Sequence, residues 1–215
     1  MFSTVIFDLD GTLLDTIGDL CAAGNHVCRK NGWPEYTPAE FAALVGHGVK
    51  NLVTRFVPAA VQTEAVLAQA LADFSAYYGE HSCDLTAPYP GVTALLEELQ
   101  AAGVRMAVYS NKDHPFSAAL MDRFFPGRFA LVQGKLEGIP VKPDPTGIRR
   151  ILERLGAEPA STLFVGDSNV DIMTGHNAGL KSCGVTWGYR SEASLVEAGA
   201  DFLAHDAAEL KAVIL

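Results

Sequence analysis

Hydrophobic positions along this chain change their period twice. Thr4 to Phe7 is an unbroken apolar run, TVIF, that stops at Asp8. A short continuous run of this kind predicts a strand buried on both faces. DLDGT then breaks it, with Gly11 available for a tight turn. From about Thr16 to Tyr78 the period lengthens. Leu20, Val27, Phe41, Leu44, Val45, Val49, Leu52, Val53 and Phe56, then Val66, Leu67, Leu71 and Phe74, recur at helical spacing. Pro34, Pro38 and Pro58 mark helix boundaries. The stretch predicts four helices and no strand.

Beyond Ala87 the chain alternates. A helix from about Thr93 to Ala102, closed by Gly103, is followed by the strand VRMAVYS and a helix from about Pro115 to Phe124. FALVQG is a weaker strand, VKPDPTGIRRILERLG a loop and helix, and TLFVGDS a strand and turn. IMTGHNAGL predicts a helix and KSCGVTWG a strand; the tail from Ser194 predicts a helix, a short DFLA strand and a last helix. Repeated strand–helix alternation implies an α/β fold, a doubly wound parallel sheet covered on both faces. The all-helical stretch interrupts it after the first strand. Residues 1–15 and 87–215 are therefore expected to form a Rossmann-like core, and residues 16–86 an inserted helical domain.

Composition narrows the function classes. The 215 residues are 49% hydrophobic and 19% charged, enough apolar material for a sizeable core. A net charge of −9 argues against general binding to nucleic acid or an anionic membrane. It leaves room for a small anionic substrate, because a local cation outweighs a distant field. No apolar run approaches the roughly 20 residues of a membrane span, and no signal peptide is expected. Cys21, Cys28, Cys83 and Cys183 form no CxxC pair or zinc-like spacing, so they read as free thiols suited to a cytoplasmic location. The sequence leaves open a monomer or a homodimer.

Three polar clusters follow predicted strands: Asp8 and Asp10 after TVIF, Ser110 and Asn111 after RMAVY, and Asp167 with Ser168 after TLFV. In an open parallel sheet all three lie along the carboxyl edge, where ligands bind. Lys142 is in a loop that reaches the same edge. Phosphate-ester hydrolysis is among the slowest uncatalysed reactions, accelerated by up to ~10²¹-fold, and a covalent route divides its barrier. Asp8 is the candidate nucleophile. A carboxylate and a phosphate dianion repel, so a cation must sit between them. Mg²⁺ suits an all-oxygen site, with Asp8, the main-chain carbonyl of Asp10 and Asp167 as ligands. Lys142 adds positive charge against the transferring group. Ser110, Asn111 and the backbone N–H groups of the Asp10–Gly11 turn are candidate donors to phosphate oxygens. Asp10 is the candidate acid/base, with Thr12 orienting it.

These residues carry a resemblance. DLDGTLLDT resembles the first motif of the haloacid dehalogenase superfamily, YSN the second, the lysine of VKPDP the third, and GDSNVD the fourth. With PYPGV before the second motif and VTWGY after the fourth, the chain is most similar to the phosphoglycolate-phosphatase-like branch. The resemblance implies a magnesium-dependent phosphatase acting on a small phosphorylated metabolite, with Asp8 as nucleophile, Asp10 as acid/base, Asp167 on the metal and Asp171 supporting the metal or its waters. It also implies that the insertion is a mobile cap whose VGHGVK segment, including His47 and Lys50, meets the substrate.

Other readings stay open at this point. A sugar phosphomutase keeps both aspartates, and a 5′-nucleotidase or pyrophosphatase shares the superfamily. A non-enzymatic phospho-aspartate switch uses a similar cluster, though with the acceptor on a later strand and no helical insertion. Lys112 and His114 either cap the next helix or line the pocket. His176 reads as a surface or core histidine.

Overall fold

Parallel strands organise the larger part of the chain. The computed structural model describes residues 1–215. Its strands are β1 (Thr4–Phe7), β2 (Leu14–Asp15), β3 (Ala87–Pro88), β4 (Arg105–Asp113), β5 (Leu131–Lys135), β6 (Thr162–Gly166), β7 (Lys181–Val185) and β8 (Phe202–Ala204). Six of them form one sheet in the order β5-β4-β1-β6-β7-β8, and β2 pairs with β3 separately. Every pairing in the large sheet is parallel. Strands β1 and β6 are buried along their whole length, as continuous apolar runs in a doubly covered sheet must be. From β1 the chain builds outward to β4 and β5, then returns to the other side of β1 for β6, β7 and β8. That reversal opens a crevice at the carboxyl ends of β1, β4 and β6.

The chain divides into two units, Met1–Asp15 with Pro88–Leu215, and Thr16–Ala87. The second unit carries four helices, α1 (Ile17–Asn31), α2 (Pro38–Ala42), α3 (Val49–Phe56) and α4 (Glu64–His81), with a 3₁₀ turn at Ala59–Val61. Gly32 ends α1 in the left-handed conformation at φ 69°. Thr37 and Glu40 form a capping box at α2. Phe41, Phe56, Phe74 and Tyr78 pack in sequence at centroid separations of 5.9, 6.1 and 5.8 Å. Asp19 is buried and accepts from Leu85 N (2.9 Å), Thr86 N (2.8 Å) and Thr86 Oγ1 (2.7 Å). It thereby fastens the start of the insertion to its end.

In the first unit, α5 (Val92–Ala101), α6 (His114–Phe124), α7 (Thr146–Leu155), α8 (Asn169–Asn177), α9 (Glu192–Glu197) and α10 (Ala207–Ile214) alternate with the strands. One core cluster joins Ile6, Tyr109, Ile148, Ile151 and Phe164, carrying side chains from β1, β4, α7 and β6. Two elements differ from their sequence expectation. β4 runs on to Asp113, because its pairing with β5 resumes at Asp113 and Lys135 after a shift in register. α8 begins at Asn169, before the apolar pattern starts, because Ser168 and Asp171 form a capping box there.

Candidate active site

The three strand ends bring their polar residues together. Asp8 follows β1, Asp167 follows β6, and Asp171 lies in the first turn of α8. One carboxylate oxygen from each of these three lies within 4.8 Å of the others. Lys142 is buried at 3% exposure, with its ammonium 2.7 Å from Asp8 Oδ1 and 2.7 Å from Asp171 Oδ1. Towards Asp171 it donates an aligned hydrogen bond. Towards Asp8 the distance is short but the alignment is missing, so Asp8 Oδ1 is a buried acceptor without an aligned donor. Charge attraction acts at that distance whatever the angle.

Backbone geometry lets the carboxylates approach. Gly11 has φ 85°, and a side chain there would collide with the Asp167 carboxylate. A side chain at Gly188 would strike Asp167 and the Gly11 carbonyl. Tyr189 N donates to Asp167 Oδ2 at 2.7 Å, and Trp187 Nε1 donates to the Thr12 carbonyl at 3.0 Å. The segment after β7 thus builds one wall of the site.

Acidic groups outweigh the positive charge set against them. Burial pushes Asp8 up to about 8; Lys142 pulls it down, while Asp171 and Asp167 push it further up. Asp167 is pushed up to about 7 by burial and by Asp171, against the Tyr189 N–H, Lys142 and Arg190. Lys142 is held above the ordinary lysine range: burial opposes its charge, but Asp171 and Asp8 prevail. A divalent cation fits this arrangement on three counts: the ligand atoms are all oxygen, they cluster, and one buried carboxylate oxygen has no aligned donor.

Several of the expected residues also have partners within the protein. The Thr12 hydroxyl lies 3.4 Å from Asp167 Oδ1 and so turns to that carboxylate. Asn111 grips the loop that carries Lys142, accepting from Lys142 N at 2.8 Å and donating to Lys142 O at 3.2 Å. Ser110 Oγ accepts from Lys112 N at 3.2 Å, which leaves the hydroxyl proton to be donated elsewhere. Asp171 takes Lys142 on one oxygen; on the other it takes Ser168 N at 3.0 Å and Ser168 Oγ at 2.6 Å. It therefore fixes the lysine as well as belonging to the acidic cluster. His47 and Lys50 are exposed in the helical unit, just before and at the start of α3.

Lys112 turns its side chain towards the site. Its ammonium is 2.8 Å from Asp10 Oδ1. No spacing rule joins residues 102 positions apart; the only sequence signal is a lysine directly after the second motif. His114 accepts from Gly134 N through Nδ1 at 3.3 Å. His176 lies at the amino ends of β7 and β8, where Nε2 is 3.1 Å from Asp201 Oδ2 and 3.0 Å from Ser182 Oγ.

A parallel sheet with an acidic cluster and a buried lysine at its switch point defines a class, and comparison with known proteins identifies it. The family model of the haloacid dehalogenase-like hydrolases matches residues 5–185, and this chain belongs to that family. A phosphoglycolate phosphatase of Aquifex aeolicus is 35% identical over 186 residues, 86% of this chain and 85% of its own length. Another, from Haemophilus influenzae, is 30% identical and covers 99% and 98% of the two chains. A crystal structure of a candidate phosphoglycolate phosphatase from Lactobacillus delbrueckii subsp. bulgaricus superposes with a TM-score of 0.94 at 32% identity, over 100% of this chain and 98% of that one. Within the family the chain falls in the phosphoglycolate-phosphatase-like branch, and it is a phosphatase. No helix is long and apolar enough to cross a membrane.

Proposed function

We propose that this phosphatase hydrolyses a small phosphomonoester through an aspartyl-phosphate intermediate with Mg²⁺ as cofactor, and that phosphoglycolate is the leading substrate. The observation that carries the reading is the clustering of Asp8, Asp167 and Asp171 at the switch point, with the Lys142 ammonium against Asp8 and Asp171. The names of the relatives support the substrate. Asp8, Asp167 and the carbonyl of Asp10 would hold the metal, with Asp171 behind them. When bound, Mg²⁺ supplies charge neutralisation between the nucleophile and the phosphoryl oxygens.

Asp8 attacks phosphorus; the bond from phosphorus to the ester oxygen breaks, and that oxygen takes the proton of Asp10. Water then attacks the acyl phosphate, gives a proton back to Asp10, and releases orthophosphate and free Asp8. Lys142 balances charge on the transferring group, and the Ser110 hydroxyl and the Asp10–Gly11 turn donate to its oxygens. His47 and Lys50 of the helical unit are candidates for substrate recognition. The four free cysteines suit a cytoplasmic location.

The test is phosphate release from phosphoglycolate, sugar phosphates, nucleotides, pyrophosphate and an aryl phosphate, with Mg²⁺ or EDTA, for wild type and Asp8→Asn. Magnesium-dependent release that disappears in the variant is expected, with phosphoglycolate fastest. Release that persists in EDTA or in Asp8→Asn would overturn the mechanism. Transfer without release, dependent on a bisphosphate primer, would point to a mutase.

A further inference from the structure

We propose that Lys112 is a positioning residue that aims the Asp10 carboxyl group at the leaving-group oxygen, an inference that rests on the phosphatase chemistry above. The active site contains two separate lysine–aspartate systems. Lys142 serves Asp8 and Asp171 at 2.7 Å each, and Lys112 serves Asp10 at 2.8 Å. Nucleophile and acid/base therefore have different cations.

Lys112 is built for a fixed reach. Its main chain is held at both ends, with N donating to Ser110 Oγ at 3.2 Å and O accepting from Ser117 Oγ at 3.2 Å. Its side chain is only 6% exposed and that of Asp10 only 13%. Burying an ammonium and freezing four rotatable bonds costs free energy. A lysine that merely solvated the entrance of α6 would keep its head in water.

Anchoring Oδ1 of a carboxyl group leaves little freedom at χ2, so the direction of Oδ2 is set as well. Proton transfer to a departing oxygen depends steeply on that direction. Asp10 lies on the turn that contains Gly11 at φ 85°. The cation on its Oδ1 comes from β4, next to Ser110. One strand end thus delivers both a phosphate donor and the brace for the acid.

The prediction separates this role from a general loss of structure. An alkoxide leaving group needs the acid, whereas p-nitrophenolate departs without it. Measured with Mg²⁺, the ratio of kcat/KM for an alkyl phosphomonoester to that for p-nitrophenyl phosphate should fall on the order of 10²-fold in Lys112→Met. This ratio does not depend on how much of the protein is correctly folded. Asp10→Asn should lower it similarly, and adding Lys112→Met to Asp10→Asn should lower it no further. Lys112→Arg should recover most of it.

A ratio within about twofold of wild type in Lys112→Met, or a further fall in the double variant, would overturn the proposal. The second result would mean that Lys112 contacts the substrate directly. If wild type releases phosphate from neither ester, or Asp8→Asn still does, the phosphatase reading itself fails and this inference falls with it.

Discussion

Two charged clusters of similar composition occupy opposite ends of the sheet. At the carboxyl ends of β1 and β6, Lys142 meets Asp8 and Asp171, with Asp167 alongside. At the amino ends of β7 and β8, Asp201 meets Lys181 at 2.6 Å, His176 at 3.1 Å and Ser182 N at 2.9 Å. The first cluster drives carboxylates up, to about 8 for Asp8 and about 7 for Asp167, because burial dominates. In the second, burial also opposes charge, but Lys181, the Ser182 N–H and His176 hold Asp201 down to about 2. Both use a lysine and aspartates. What separates a reactive site from a structural brace is whether the carboxylates have all the donors they need. The brace is satisfied by the protein itself, while in the site Asp8 Oδ1 has an ammonium close by but no aligned donor.

The sharpest way to break the comparison is to neutralise one aspartate in each cluster. Asp8→Asn should abolish phosphate release, by ~10³-fold or more. The same change should raise the melting temperature in EDTA, because it removes a poorly compensated buried carboxylate. Unchanged turnover, or a lower melting temperature, would contradict this. Lys142→Met should also lower activity by ~10²-fold or more. It should destabilise the fold by about 3 kcal/mol, since it leaves Asp171 buried without its counter-charge and Oδ1 without its donor; denaturant unfolding would measure it.

Acidity gives a third contrast. Asp8 and Asp167 have folded values above the ordinary 3.8, so the metal-free fold binds more protons than the unfolded chain between about pH 4 and pH 8. Stability from these groups should therefore fall as pH rises through that window. Mg²⁺ should raise the melting temperature more at pH 8 than at pH 6, because at lower pH it competes with protons. A Mg²⁺ shift that shrinks with rising pH would refute the assignment.

Asp201 runs the other way. Its folded value lies below the ordinary one, so its contribution is present above about pH 4 and lost as pH falls towards about 2. Asp201→Asn should cost about 1–2 kcal/mol through weakened hydrogen bonds, with phosphate release within about twofold of wild type. A larger loss of activity would show that the two clusters are coupled.

Local and distant information entered the sequence unequally. The unbroken TVIF and TLFV runs announce buried parallel strands, and the helical period after Thr16 announces the insertion, because each depends on neighbours in the chain. The polar residues after those strands were also legible, since the topology of an open sheet gathers them. Their partners were not. Lys112 reaches Asp10 across the β1–β4 pairing, and Thr12 turns to Asp167 because Gly188 and Tyr189 bring the wall close. Side-chain direction depends on register and packing, which no spacing along one strand contains. The extension of β4 to Asp113 has no such signal, because SNKD has no apolar alternation.

The clasp of Asp19 on Leu85 and Thr86 also bears on how such a chain is assembled. An insertion whose two ends are already joined imposes on its host little more closure entropy than a short loop would. Material can therefore be lengthened, shortened or exchanged between those ends while the surrounding strands keep their register. In that sense the carboxylate acts as the hem of the insertion, so that a change inside it need not disturb the chemistry outside.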